Sequence, residues 1–409
     1  MVRALSAVAD DLTGANGLGG RWAGRGSEVL VARDPAWLRA AAGCRILDVE
    51  TRLLGPGAAR TAARAAWTAL GGAGLLFQKI DSTLRGNPAE EIEGLVLATA
   101  APWVAVLPAY PALGRQVLQA ALWVHGRRLD RTEYARDPLS PARAWRPQDL
   151  FPRDLRAHAP LSRVAAGLGS LRALLRRALD RGPRRPRFIT FDCAESAQVQ
   201  VIADACLAEG CRHFAGAADL GGALALRALG KASPVARPRA LPWIVLAGSV
   251  SATTFGQLRV WREAGRPWQA LAGRRNPDRM RLRRLLRSEG ALALSSLDGR
   301  GDLAPWLERE ARRGRGPARC AEDAMAGLAR WGLAVAGGLD RCGWFVTGGH
   351  TLRALDEAAG IRTFSILGEV LPEVPLGLAQ GAGGRAWMCS KPGGFGPADC
   401  FTRFMEAKA

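Results

Sequence analysis

Lysine is nearly missing from this chain. Four lysines (79, 231, 391 and 408) stand among 57 Lys and Arg in 409 residues, so arginine carries almost all of the positive charge. Aromatic residues are few, at 6%. They do not interleave with the basic runs, as a single-strand nucleic-acid binder needs. No run of about 18 consecutive apolar residues occurs, so no membrane span is expected. The start, Met1-Val2-Arg3 leading to Asp10-Asp11, lacks the pattern of a secretory signal. The eight cysteines, at 44, 193, 206, 211, 320, 342, 389 and 400, form no CxxC pair and no Cys/His metal spacing. Reduced thiols in a cytoplasmic protein are therefore expected. A Walker A sequence is absent, and no GxGxxG follows the first apolar run, which argues against an NAD-type oxidoreductase.

The net charge of +20 raises nucleic-acid binding as a reading. The arginines are spread along the chain, and the dense runs at 176–177, 181–187 and 279–287 fit solvated helix faces or linkers better than a phosphate-backbone site. Hydrophobic residues make up 48% of the chain, enough for a sizeable core. The length favours two or three domains. Strand-like runs at 4–9, 28–32, 44–49, 74–79 and 103–107 alternate with helical patterns such as 58–70 and 89–100. That alternation predicts an α/β fold with a parallel sheet. Residues 111–160, rich in Pro and Arg, read as loops, and 161–180 as one long helix. Further strands are expected at 188–191, 211–215, 243–247, 291–296, 343–347 and 387–390, with helices at 196–209, 253–264 and 318–335. The Pro-rich stretch 230–242 reads as a linker, which gives two α/β domains, 1–232 and 240–409.

Chemistry concentrates where apolar runs end. Lys79-Ile80-Asp81-Ser82-Thr83-Leu84-Arg85-Gly86-Asn87 follows the run ending at Phe77. It presents two cations, a carboxylate and two hydroxyls in one turn. Asp10-Asp11-Leu12-Thr13-Gly14 follows the first strand in the same way, and Asp48-Val49-Glu50-Thr51-Arg52 offers a third edge. In open α/β sheets, ligands bind outside the carboxyl ends of strands. Such a set suits a small, anionic, hydroxylated substrate. Asp10-Asp11 with Thr13 also fits a helix N-cap, and Asp81 to Thr83 could cap the next helix. That second cap leaves Lys79 and Arg85 unexplained. His125, His158 and His213 are isolated and read as core or surface residues.

Three Gly-rich turns mark the second half: Gly248-Ser249-Val250-Ser251, Thr347-Gly348-Gly349-His350-Thr351 and Lys391-Pro392-Gly393-Gly394-Phe395-Gly396. Glycine lets backbone N–H groups approach phosphate oxygens, and a following helix adds a favourable dipole. Each alone also fits a plain tight turn. Together they point to nucleotide binding.

These motifs, with Pro108 to Arg115 and Gly368-Glu369-Val370-Leu371-Pro372, resemble the four-carbon acid sugar kinase family, in family order across nearly the whole chain. The resemblance implies ATP-dependent phosphorylation of a hydroxyl on erythronate, threonate or a 3-oxo-tetronate. It also implies a four-carbon acid sugar-binding N-terminal domain and a nucleotide-binding C-terminal domain. On that reading Lys79 and Arg85 bind the substrate carboxylate, while Asp10, Asp11 and Ser82 hold hydroxyls. Asp11 or Asp81 accepts the hydroxyl proton. Ser249, Gly348, Gly349, His350, Thr351, Lys391, Gly393 and Gly394 bind ATP. Mg²⁺ is held mainly by phosphate oxygens and water, and its protein ligands are unknown. No nucleic-acid or membrane partner is expected, and a homo-oligomer is an open alternative. The family usually carries an acid where this chain has His350. A catalytically altered member that senses an acidic metabolite or nucleotide is the alternative reading.

Overall fold

The computed structural model describes residues 4–39, 41–71, 74–137, 140–180, 187–235, 238, 241–271 and 278–407. Pro138, most of the 181–187 arginine run, part of the 230–242 stretch and Lys408 lie outside them. The chain divides into two compact units, Met1–Ala232 and Ser233–Ala409.

The first unit starts with β1 (Leu5–Ala9), α1 (Leu12–Trp22), β2 (Val29–Ala32), β3 (Cys44–Asp48), α2 (Pro56–Leu70), β4 (Leu75–Lys79), α3 (Pro88–Thr99) and β5 (Val104–Leu107). A small antiparallel sheet follows, of β6 (Arg115–Leu118), β7 (Ala121–Val124) and β8 (Arg127–Arg128). The rest is β9 (Arg156–Ala159), α4 (Leu161–Ala165), α5 (Leu168–Leu179), β10 (Phe188–Phe191), α6 (Ser196–Ala208), β11 (His213–Gly216) and α7 (Ala218–Leu229). The main strands lie in the order β2-β3-β1-β4-β11-β5-β10-β9, and every pairing is parallel. All residues of β1 and β4 are buried, as expected of central parallel strands covered on both faces. Helix α2 buries Ala59, Ala63, Ala66, Trp67 and Leu70, the three-to-four spacing of one helical face. Between β3 and β4 the chain crosses from one side of β1 to the other. The carboxyl ends of β3, β1 and β4 therefore flank a switch point, the usual place for a ligand.

Two expectations are corrected here. The helix expected over 161–180 breaks at Gly167, whose φ of 89° cannot continue a helix. The 111–160 stretch is not only loop, because it holds β6 to β8. The β6–β7 turn places Gln119 and Ala120 at φ 52° and 61°. It lacks the Asn-Gly signature that usually betrays such a turn.

The second unit contains β12 (Trp243–Ala247), α8 (Ala252–Glu263), β13 (Trp268–Ala270), α9 (Arg279–Glu289), β14 (Ala291–Ser295), α10 (Leu303–Ala311) and α11 (Pro317–Ala336). It ends with β15 (Gly343–Thr347), α12 (Gly349–Ala359), β16 (Ile361–Leu371), β17 (Val374–Gly381), β18 (Gly384–Lys391) and α13 (Cys400–Glu406). Strands β13-β14-β12-β15-β18 are parallel. Strands β17 and β16 continue from β18 as an antiparallel meander. The last helix docks by edge-to-face aromatic packing. Phe345 lies 5.2 Å from Phe401 and 4.8 Å from Phe404, and Trp243 lies 4.8 Å from Phe404. The 279–287 arginines lie on α9, which buries Leu282 and Leu286 and exposes Arg281, Arg284 and Arg287. All eight cysteines are buried, and none forms a disulfide.

Candidate substrate and nucleotide sites

In the first unit the ends of β1, β3 and β4 bring six ionisable side chains into one cluster. Asp11 caps α1: it accepts from the Gly14 N–H at 2.9 Å and from the Thr13 hydroxyl at 2.7 Å. Arg52, just beyond β3, is the centre of the cluster. It donates to Asp10 Oδ2 from Nε (2.9 Å) and Nη2 (2.6 Å), and to Asp11 Oδ2 from Nη1 (3.1 Å). Its Nη2 also lies 3.7 Å from Asp81. Arg85 grips Asp81 with a two-pronged contact, Nε to Oδ2 at 2.9 Å and Nη2 to Oδ1 at 3.1 Å. The Thr83 hydroxyl and amide both donate to Asp81 Oδ2. Lys79, the last residue of β4, donates to the Ile80 carbonyl at 2.9 Å. Its Nζ rests against the first turn of α1, where a Cβ on Gly14 would sit 3.0 Å from it and 2.5 Å from Asp11 Oδ1. A side chain there would push the Asp11 carboxylate aside. The turn is itself strained, with Leu84 at φ 55° in the left-handed region. Ser82 is buried in the same turn. Asn87 ties the turn to the β3 side by donating to the carbonyls of Thr51 (2.8 Å) and Leu54 (2.9 Å).

The carboxylates differ in charge preference. Burial opposes ionisation of Asp81, but Arg85, Arg52 and the hydrogen bonds from Arg85 and Thr83 hold it well below the usual carboxylate range. Burial also opposes Asp11. There Arg52, Lys79 and Thr13 outweigh it, and the carboxyl titrates below its ordinary value. Asp10 goes the other way. Its residue is 1% exposed, burial prevails over Arg52, and the carboxyl is raised. Its Oδ1 has no hydrogen-bond partner among the described residues. Behind it Glu91 is buried, hydrogen-bonded by the Thr51 hydroxyl at 2.7 Å, and raised well above the usual range by burial and by Asp10. Asp48, raised by burial, Glu50 and Asp11, completes a rear layer of carboxyls that resist ionisation.

In the second unit the three Gly-rich turns end β12, β15 and β18, which are neighbours in the sheet. They interlock. The Ser251 hydroxyl caps α8 through Thr254 N–H (3.1 Å) and donates to the Gly393 carbonyl at 2.7 Å. Thr254 donates to the same carbonyl at 2.9 Å, and Gly348 N–H to the Lys391 carbonyl at 2.9 Å. Side chains have no room: a Cβ on Gly248 would lie 2.2 Å from Met325 Sδ and 2.3 Å from Thr351 Oγ1. One on Gly393 would lie 2.0 Å from Ser249 Oγ. Lys391 is 1% exposed; its ammonium donates to Thr347 Oγ1 at 2.9 Å and to the Pro392 carbonyl at 3.2 Å. Burial pulls its pKa down to about 8. Ser249, Gly348 and Gly349 are partly exposed on this rim, Gly394 and His350 are exposed, and Thr351 is buried. The N-termini of α8 and α12 open onto the turns, a backbone arrangement suited to phosphate.

A sugar-binding N-terminal domain model matches residues 5–224, and a nucleotide-binding C-terminal domain model matches 244–401. The chain belongs to the four-carbon acid sugar kinase family. A D-threonate kinase of Cupriavidus necator is 31% identical over 90% of this chain and 89% of its own length. A 3-oxo-tetronate kinase of Pseudomonas savastanoi pv. phaseolicola is 26% identical over 99% of this chain and 97% of its own. A solved structure from Salmonella typhimurium LT2 covers 99% of this chain and 100% of its own, with a TM-score of 0.80 and 21% identity, a likeness of fold.

Within this kinase fold, Asp10, Asp11, Lys79, Asp81 and Arg85 gather as one cluster, and the glycine turns gather as a second. Arg52, read from sequence only as part of a third edge, is the residue that joins three of the carboxylates. Glu91 and Tyr134 lay outside the sequence reading. Glu91 looks like an ordinary first-turn helix acid. Among the described residues no helix is long and apolar enough to cross a membrane.

Proposed function

We propose that the protein transfers the γ-phosphoryl group of ATP to a hydroxyl of a four-carbon sugar acid of the threonate, erythronate or 3-oxo-tetronate type. The observation that supports this best is the cluster of Asp10, Asp11 and Asp81 with Arg52, Lys79 and Arg85 at the ends of neighbouring strands. A hydroxylated anion needs both signs of charge at short range. Lys79 and Arg85 supply cations for the substrate carboxylate. Asp10, Asp11 and Ser82 orient hydroxyls. Asp11 is assigned the proton acceptor. Its side chain is 19% exposed against 10% for Asp81, and Asp81 is already gripped by the Arg85 fork.

ATP is assigned to the second unit, with Ser249, Gly348, Gly349, His350, Thr351, Gly393 and Gly394 around its phosphates. Lys391 lies beneath these turns and supports them through Thr347. ATP supplies the phosphoryl group, and the protein's part is alignment and charge compensation. Among the described residues no group of three His, Cys, Asp or Glu is arranged to hold a metal ion. Mg²⁺ is assigned to phosphate oxygens and water, with at most one carboxylate.

The test is ADP release with Mg-ATP against D- and L-threonate, D- and L-erythronate, their 3-oxo forms and 4-hydroxythreonine. Acid-dependent ADP is expected for at least one, and it names the substrate. ATP binding without ADP release for every acid would overturn the reading.

A further inference from the structure

Arg85 is held from two directions. Its own turn supplies Asp81, and a distant segment supplies Tyr134 and Asp137. Tyr134, one of two tyrosines in the chain, lies in the short turn Glu133–Arg136 that follows β8. The Arg85 guanidinium stands 5.3 Å from the centroid of its ring, within cation–π range. The Tyr134 hydroxyl accepts from Arg115 Nη2 at 3.4 Å. Arg115 is 3% exposed and is itself fixed by the Leu113 carbonyl and by His125 Nε2 at 3.1 Å. Three residues beyond Tyr134, Asp137 Oδ2 accepts from Arg85 Nη1 at 3.2 Å, while its Oδ1 accepts from the Ser140 amide at 3.0 Å.

We propose that Tyr134 is a positioning residue for the substrate site: anchored by Arg115, it sets the angle of the Arg85 guanidinium and, through it, of Asp81. Two of the three nitrogens of the fork face Asp81 and the third faces Asp137. The fork's plane is thus fixed at its edges, and the ring of Tyr134 supports its face. Without that ring the guanidinium can tip, and Asp81 loses its two-pronged partner. Tyr134 is neutral, so replacing it changes no charge. Any change at Arg85 then reports position. The consequence for turnover rests on the kinase reading above; the consequence for Arg85 does not.

The test uses the full chain and the variants Tyr134→Ala and Tyr134→Phe. Phenylglyoxal labelling, read by peptide mass spectrometry, compares Arg85 with Arg156, whose guanidinium is tied to the Gln148 and Phe151 carbonyls. Tyr134→Ala should raise labelling at Arg85 about threefold or more and leave Arg156 unchanged. Tyr134→Phe keeps the ring but loses the Arg115 anchor, so its labelling of Arg85 should fall between those of the wild type and Tyr134→Ala. With the acid that gives ADP, Tyr134→Ala should raise its KM about tenfold with kcat within about threefold, because ground state and transition state lose the same contact. Unchanged Arg85 labelling in a folded Tyr134→Ala, or an equal rise at Arg156, would overturn the proposal. If no acid gives ADP with the wild type, the kinase reading falls, and the labelling still decides what Tyr134 does.

Discussion

The two candidate sites are built from different materials. The cluster in the first unit is made of charged side chains, with three carboxylates and two arginines in direct contact. The turns in the second unit are made of backbone, hydroxyls and one buried lysine. A sugar acid presents a carboxylate and hydroxyls at fixed angles, and directional side chains read those angles. A triphosphate presents a dense negative charge, and N–H groups at helix ends suffice. The price of the first solution is mutual dependence, since removing one ion leaves its partner buried and alone. The second depends on space, because Gly248 and Gly393 leave little room for a side chain.

That contrast can be tested at four strengths. The largest effect is expected from Asp11→Asn, which should lower turnover by about 10²- to 10⁴-fold with ATP binding intact. Initial rates and ATP titration check it, and near-normal turnover removes Asp11 as the base. Next is Arg52→Met, which leaves Asp10 buried without its cation. Loss of about 3–5 kcal/mol of stability is expected from urea unfolding, and a shift under 1 kcal/mol would mean the pair is not structural. Third, Gly248→Ala forces Met325 and Thr351 aside. The KM for ATP should rise about tenfold while the KM for the acid stays put; equal rises in both would break the division between the sites.

The smallest effect is a pH dependence. Lys391 titrates at about 8 when folded, against an ordinary value of 10.5. Between those values the unfolded chain holds the extra proton, so stability should rise with pH, by at most about 1.4 kcal/mol per unit. Lys391→Met should abolish the rise, measured as denaturation midpoints from pH 7.5 to 9. A Lys391→Met curve parallel to that of the wild type would mean the ammonium is not desolvated.

Much of this was legible in the chain. β1 is apolar but for Ser6, β4 is apolar through Phe77, and both run into charged turns, as buried parallel strands beside a ligand site do. The three glycine turns carry their own signal, because close backbone approach demands that residue. Arg52 was harder to read. Its importance comes from register: Ala9 pairs with Asp48, which sets the residues after β3 beside Asp10. Tyr134 was harder still, since it reaches Arg85 across some fifty positions of chain through a sheet whose hairpin turn has no recognisable residues. The meander of β16 and β17 hid behind Gly368, Pro375 and Gly377, which punctuate it as if it were loop.

Leu84 remains to be considered. Its side chain is 1% exposed, and its backbone sits where a branched residue is disfavoured by about 1 kcal/mol. A glycine there would relax the turn and also let it wander. The leucine is wedged into the core and holds the turn in this shape. Under the proposed function, a small acid that diffuses in would meet groups already at their stations. Its association should therefore be governed by encounter rate, with no slow ordering phase to follow.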